Sequence, residues 1–340
     1  MRWEATQRIA QRQPEGGGLF AHQGLDKVSD LLVTLGATER GPLLKRMTKE
    51  HFASPGKMVR ARLAFAVAEV YGVSRSRCVP WAAAVELLHN ATLVHDDIQD
   101  EDRVRRGAPT TWARHGVAQA INLGDQLLML PTQAIEQLMG DEAMKWRLAR
   151  CVSRRARATV AGQVEDLALG PDSEWTWAAY RRAVEGKTGH LLSLPVEGSL
   201  ILARYTPDEA QAVADLFLTV GMLYQLQDDV LDIFGDKQRE QTASDLYEGK
   251  VSALVIADSL LHPEHTDSLR RLLSTPRALI RRADVDETVN RFRDHGALDV
   301  VLGEMRNLRD QFLGNEWGQL TTLAQELITV TLRPIQGVWK

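Results

Sequence analysis

Cysteine is nearly absent from this 340-residue chain, with Cys78 and Cys151 the only two. Two thiols cannot build a disulfide framework, and they lack metal-ligand spacing. A reducing cytoplasm is therefore the expected compartment, with both cysteines as buried small hydrophobes. Long apolar runs are missing as well, and no stretch reaches the uncharged length that a membrane span needs. Residues 1–19 carry charge throughout without an apolar h-region, so no secretory signal is expected. Neither sign of charge dominates. The net charge of -4, from 41 basic and 45 acidic residues, argues against a nucleic-acid footprint spread over the surface. There is no low-complexity tract. What remains, 44% hydrophobic and 25% charged, is the composition of an ordinary globular protein.

The apolar residues recur with helical spacing over about 24–50, 57–71, 79–101, 117–139, 142–169, 174–203, 207–234, 249–262, 285–313 and 317–332. Few β-branched runs interrupt them, and the fold class is all-α. Gln13 to Gly18 reads as a flexible lead-in, so residues 1–23 are set apart from a single large helical domain over 24–340. Pro80 and Pro207 fit first turns of helices, with Thr206 as the N-cap before Pro207. Pro131 and Pro195 fall inside apolar helical patterns and should kink or split them.

One short motif occurs twice, as Asp96-Asp97-Ile98-Gln99-Asp100 and Asp228-Asp229-Val230-Leu231-Asp232, each closing a long apolar helical stretch. On a helix the first and third Asp of each cluster share a face, with the middle one about 100° round. Like charges that close repel unless cations neutralise them. Hard oxygen donors without His or Cys favour Mg2+ over zinc, and Mg2+ commonly bridges a few carboxylates to substrate phosphates. A helix-loop-helix calcium site is excluded, because the run from Asp96 lacks its alternating ligands, sixth-position Gly and twelfth-position Glu. The pair of motifs points to diphosphate chemistry. A single copy would read more naturally as a solvated helix end. Two loops follow the clusters: one at 102–115, with Arg103, Arg105, Arg106 and Arg114, and a polar one at 235–249. Either could close over a phosphate.

In order along nearly the whole chain stand Gly56-Lys57 with Arg60, Glu86 and His89 on one helix, and the first Asp cluster with Arg105-Arg106-Gly107. Gly162-Gln163 with Asp166, Gly186-Lys187-Thr188, and Tyr224-Gln225 before the second cluster complete the series. The ordered set resembles the trans-isoprenyl diphosphate (polyprenyl) synthase family. The resemblance implies one helical bundle of the isoprenoid synthase type with a central substrate cavity. It implies a Mg2+-dependent prenyltransferase that condenses isopentenyl diphosphate with an allylic diphosphate. Asp96, Asp97, Asp100, Asp228, Asp229 and Asp232 would hold the metal, three ions with substrate bound. Lys57, Arg60, His89 and Arg106 would hold isopentenyl diphosphate. Arg105, with Lys187, Thr188 and Gln225, would serve the allylic side. Bulk at the fourth and fifth positions before the first cluster limits product length in this family. Thr92 and Ala91 are small, so geranylgeranyl length or somewhat longer is expected, with Leu88 as the next stop. A homodimer is also implied. Taken singly, each of these residues has a bland reading as solvated charge or a satisfied core group.

Two departures stand out. Pro55-Gly56-Lys57-Met58-Val59-Arg60 has one basic residue fewer than the family's usual Gly-Gly-Lys-Arg-x-Arg, and Arg239-Glu240 stands where Gly-Lys is usual ahead of Ser244-Asp245. A Glu there repels a diphosphate that a Lys attracts, unless Arg239 or Lys237 substitutes. A terpene synthase, or a transferase to a non-isoprenoid acceptor, is one alternative on the same fold. Lys57, Arg60, His89 and Arg106 argue against it. A weakly active partner subunit is another, and two complete Asp clusters argue against that.

Overall fold

The computed structural model describes residues 23–37, 41–54, 56–235, 243–335 and 338. The chain begins with α1 (Leu25–Gly36), α2 (Pro42–Phe52), α3 (Val59–Val70) and α4 (Arg75–Gln99). An antiparallel hairpin of β1 (Val104–Arg105) and β2 (Ala108–Pro109), then α5 (Thr111–His115), occupies the loop after α4. Next come α6 (Val117–Glu136), α7 (Glu142–Ala168) and α8 (Trp177–Val184). A π turn, Glu185–Gly189, runs directly into α9 (His190–Leu202), followed by α10 (Pro207–Asp215), α11 (Leu218–Phe234) and α12 (Ser244–Tyr247). The last helices are α13 (Ala253–Leu261), α14 (Thr266–Leu273), α15 (Arg282–Asp294), α16 (Ala297–Leu313) and α17 (Thr321–Leu332). Among the described residues the chain is all-α apart from that one hairpin.

Two compact units share the chain. The first takes Met1–Ala156, Ser193–Ala214 and Trp317–Leu323, the second Arg157–Leu192, Asp215–Glu316 and Ala324–Lys340. In the first, α4 packs along α6 and against α1 and α3. Its faces are apolar nearly all round, with Trp81, Ala82, Ala83, Ala84, Val85 and Leu87 fully buried, as a central helix requires. The indole N–H of Trp81 donates to the Pro195 carbonyl at 3.2 Å, and a Cβ on Gly198 would stand 1.9 Å from that indole. Only a glycine lets the indole lie so close to the backbone of α9. In the second unit α11 packs on α16, on α13 and on the π turn, with Phe217 set edge-on against Phe312.

Several boundaries differ from the apolar pattern, each for a local reason. The first pattern breaks before Gly41 and restarts with Pro42 at the first position of α2. The pattern over 207–234 breaks between Asp215 and Leu218, and that over 285–313 breaks at Gly296, whose φ is 92°. Helix α4 starts at Arg75 instead of 79, so Pro80 lies inside it rather than in its first turn. The missing N–H frees only the Ser76 carbonyl, and Ser76 is on the exposed side. Neither Pro131 nor Pro195 splits its helix. Thr206 and Glu209 form a reciprocal cap on α10: the Thr206 N–H donates to Glu209 Oε2 at 2.9 Å, and the Glu209 N–H donates to Thr206 Oγ1 at 3.4 Å.

Candidate active site

In the first unit the site is assembled along the last three turns of α4. Asp97 is 3% exposed, and its Oδ1 accepts from Arg105 Nε. Burial pushes the Asp97 carboxyl up to about 6, against the pull of Arg105. Arg105 also reaches Asp102 at 3.4 Å. Asp96 and Asp100 are half-buried on the adjoining face. The hairpin is what aims the two arginines. Arg106 and Gly107 both have positive φ, 54° and 75°, as its two-residue turn demands. From that left-handed position Arg106 Nη1 donates to the Ser54 carbonyl at 3.1 Å. A Cβ on Gly56 would fall 2.3 Å from the same guanidinium. Gly56 is thus the notch in which Arg106 rests.

Helix α3 has no side-chain cap of its own, and Glu86 on α4 supplies one by accepting from the Ala61 N–H at 3.0 Å. That ties the start of α3, with Lys57 and Arg60, to α4. Arg60 Nη1 donates to His89 Nε2 at 3.0 Å, which leaves the proton of a neutral imidazole on Nδ1. Burial, then the cations Arg60, Arg106 and Arg105, hold His89 well below its usual range, so it is uncharged at neutral pH. Its Nδ1 is sealed from solvent and has no partner. Lys57 is exposed at the same turn. A small open pocket of about 50 Å³ lies beside these groups, lined by His51, Asp97, Arg105, Arg106 and Thr110 among others. Upstream on α4, Ala91 and Leu88 are buried, while Thr92 is half-buried and spends its hydroxyl on the His89 carbonyl at 2.8 Å.

In the second unit the carboxylates stand unequally on α11. Asp228 is exposed, whereas Asp229 and Asp232 are each 3% exposed. Asp229 Oδ2 accepts from the Tyr180 phenol and from the Ala253 N–H, both at 2.8 Å, and its Oδ1 from Gln225 Nε2 at 2.9 Å. Burial raises the Asp229 carboxyl, opposed by these three donors. Asp232 accepts from Ser244 Oγ and from the Asp245 N–H. Asp245 joins the group, its carboxyl raised by burial and then by Asp232 and Asp229, with Lys250 opposing.

The π turn carries Lys187 and Thr188. Lys187 Nζ donates to Asp166 Oδ2 at 2.8 Å. Two glycine crossings allow that turn to sit where it does: a Cβ on Gly162 would be 2.2 Å from the Lys187 nitrogen, and one on Gly221 2.5 Å from Gly189 Cα. The extra residue per turn re-aims the side chains that follow, a device common at functional sites.

The sequence pattern makes all six aspartates direct metal ligands, and the structure separates them. Asp228 is exposed and Asp96 and Asp100 are half-buried, whereas Asp97, Asp229 and Asp232 are buried and accept hydrogen bonds from protein donors. Among the described residues no three His, Cys, Asp or Glu side chains already gather round one point. The donor set is nevertheless all carboxylate oxygen, which fits a hard divalent cation that also takes phosphate oxygens and water. Gln225, expected on the allylic substrate, contacts Asp229. Lys237, Arg239 and Glu240 lie outside the described residues.

A polyprenyl synthetase family model matches residues 41–291. The chain belongs to the polyprenyl synthetase family. A short chain isoprenyl diphosphate synthase of Methanocaldococcus jannaschii is 31% identical over 257 residues, 75% of this chain and 77% of that protein. A geranylgeranyl diphosphate synthase of Saccharolobus solfataricus is 32% identical, over 66% of this chain and 68% of its own length. The fold is similar to a polyprenyl synthetase structure from Streptomyces coelicolor, with a TM-score of 0.81, 25% identity, and 91% and 98% of the two chains covered. Within this polyprenyl synthetase, the sequence pattern left Tyr180, Asp245 and Lys250 without a role. Asp245 and Lys250 sit in a polar segment after a carboxylate cluster, which was a usable signal. Tyr180 had none, because only the packing of α8 brings it to Asp229. No helix is long and apolar enough to cross a membrane among the described residues.

Proposed function

We propose that this polyprenyl synthetase condenses isopentenyl diphosphate with an allylic diphosphate to give a linear trans-isoprenyl diphosphate of geranylgeranyl length or somewhat longer. The observation that carries the reading lies within the first unit, where the aspartates that close α4 meet basic side chains delivered by the hairpin and by the start of α3. The carbon–oxygen bond of the allylic substrate breaks, and the diphosphate leaves with the electron pair. The alkene of isopentenyl diphosphate then forms the new carbon–carbon bond, and a proton is lost to the departing diphosphate. Divalent ions, Mg2+ in this reading, supply charge neutralisation to the leaving diphosphate.

The chain's own residues do the rest. Asp96, Asp100 and Asp228 offer oxygens to the ions, with Asp97, Asp229 and Asp232 setting their orientation. Arg60, Arg106 and Lys57 grip the diphosphate of isopentenyl diphosphate without ionising it. Neutral His89 completes that grip by accepting from Arg60 Nη1, which holds the guanidinium in place for the phosphate oxygens. Arg105, Lys187 and Thr188 attend the allylic diphosphate, with Arg105 suited to a bidentate grip. Thr92, presenting a methyl with its hydroxyl turned back, leaves room for a longer tail than an aromatic would. Cytoplasmic location and a homodimer belong to the same reading, the first supported by two buried free cysteines.

The test is incubation of purified protein with isopentenyl diphosphate, Mg2+ and dimethylallyl, geranyl or farnesyl diphosphate in turn, with products identified by mass. The expected product carries four or more isoprene units. No condensation with any primer would overturn the proposal.

A further inference from the structure

We propose that Tyr180 is a positioning residue of the second aspartate cluster, its phenol holding the Asp229 carboxylate so that neighbouring Asp228 is presented to a divalent cation. The inference rests on the metal-dependent reading above and assigns a role to a residue outside every motif found in the sequence. Tyr180 lies on α8, 3% exposed, its ring edge-on against Trp177 with centroids 5.9 Å apart. The start of α8 is fixed by Thr176, which accepts from the Ala179 N–H at 3.1 Å. The phenol is therefore held in place before it meets Asp229.

Three donors from three separate segments converge on Asp229: Tyr180 from α8, the Ala253 N–H from the first turn of α13, and Gln225 one turn earlier on α11. Together they fix both the position and the plane of the carboxylate. Successive helix residues point about 100° apart. Pinning Asp229 inward thus fixes the outward direction of Asp228, which is exposed. Without the hydroxyl, Oδ2 keeps one donor and the carboxylate can turn about its Cβ–Cγ bond. Hydrogen-bond partners behind a metal site typically change metal affinity 10–100-fold when removed. The competing explanation is that a buried phenol merely needs an acceptor. That explanation predicts lost stability and no change toward metal.

Tyr180→Phe removes the hydroxyl and keeps the ring. Mn2+ binding to the full chain, with inorganic diphosphate present, is measured by calorimetry for the parent, Tyr180→Phe and Asp228→Asn. Asp228→Asn should abolish the second-cluster binding step, and Tyr180→Phe should weaken it about tenfold. In assays, Tyr180→Phe should raise the Mg2+ concentration for half-maximal rate and the KM for the allylic diphosphate, leaving the KM for isopentenyl diphosphate unchanged. A parent-like Mn2+ affinity, with only the melting temperature lowered, would overturn the positioning role. So would a parent that shows no binding step sensitive to Asp228→Asn. A parent that binds Mn2+ through Asp228, weakens with Tyr180→Phe, and yields no condensation product would uphold Tyr180 and discard the proposed reaction.

Discussion

The two aspartate clusters have the same spacing and opposite means of support. In the first, the buried middle carboxylate is matched by a cation, Arg105, delivered by a hairpin. In the second it is matched by three neutral donors, Tyr180, Gln225 and the Ala253 N–H. A cation cancels charge, while neutral donors only solvate it. The first cluster is therefore embedded in basic surroundings, and the second concentrates negative charge, with Asp245 added to it. One motif written twice has become two electrostatic environments.

The largest effect that could break the comparison concerns the outward carboxylates. Asp96→Ala and Asp228→Ala should each lower turnover by about 100-fold or more, as loss of a group acting on transition-state charge does. Both should leave metal-free unfolding within about 0.5 kcal/mol of the parent, because neither side chain is buried. Steady-state kinetics with denaturant melts reads both quantities, and near-parental turnover in either variant would refute the two-cluster assignment.

The middle aspartates should behave differently from their outward neighbours. From its place in the motif, Asp229 looks like one more ligand whose removal relieves repulsion. In the structure its removal strands three donors, so Asp229→Ala should cost stability of about 1–3 kcal/mol even without metal. Urea midpoints for Asp228→Ala and Asp229→Ala side by side decide it. Equal midpoints would mean that the donors find water.

The glycines sharpen the contrast at somewhat smaller scale. Gly162→Ala meets the backbone of the π turn at 2.2 Å and should destabilise by about 1–3 kcal/mol, since main chain cannot step aside. Gly56→Ala meets only the far end of Arg106, so its melting temperature should stay near the parent while the KM for isopentenyl diphosphate rises severalfold. Reversed results would place Arg106 elsewhere.

The smallest effect near neutrality tests the basic surroundings of the first cluster. Burial chiefly, then Arg106 and Arg105, push His51 down to about 4, while its bond to Asn90 opposes them. Above pH 6.5 His51 is neutral in both folded and unfolded chains and contributes no pH dependence. As pH falls from 6.5 toward 4, the unfolded chain takes up a proton that the folded one refuses. His51 then removes up to about 1.4 kcal/mol of stability per pH unit. His51→Leu should flatten that part of the stability profile. Parallel parent and variant profiles from pH 7 to 4.5 would show that His51 is accessible.

Local patterns made much of this readable. The Thr206-Pro207 start is an N-cap written in adjacent residues, and it forms, with Glu209 completing it in the structure. The doubled Asp spacing, the Arg105-Arg106-Gly107 motif and the Gly-Lys-Thr run were equally plain. Pro80 misled, because the Ser76 carbonyl it frees lies on the exposed side of α4. The π turn could not be read, since it depends on Gly162 and Gly221 letting other backbone approach Gly186 and Gly189.

By itself the sequence determined the all-helical class, the two carboxylate clusters, the ordered basic residues and the family these imply. Such features are carried by residue type and short spacing, and a helix converts spacing into direction. Which aspartates face outward, which donors hold the others, and where Tyr180 and Asp245 enter were decided only by the tertiary structure. Those assignments depend on segments far apart in the chain, brought together when apolar surface is buried, and no local pattern encodes where a distant hydrogen-bond donor will land.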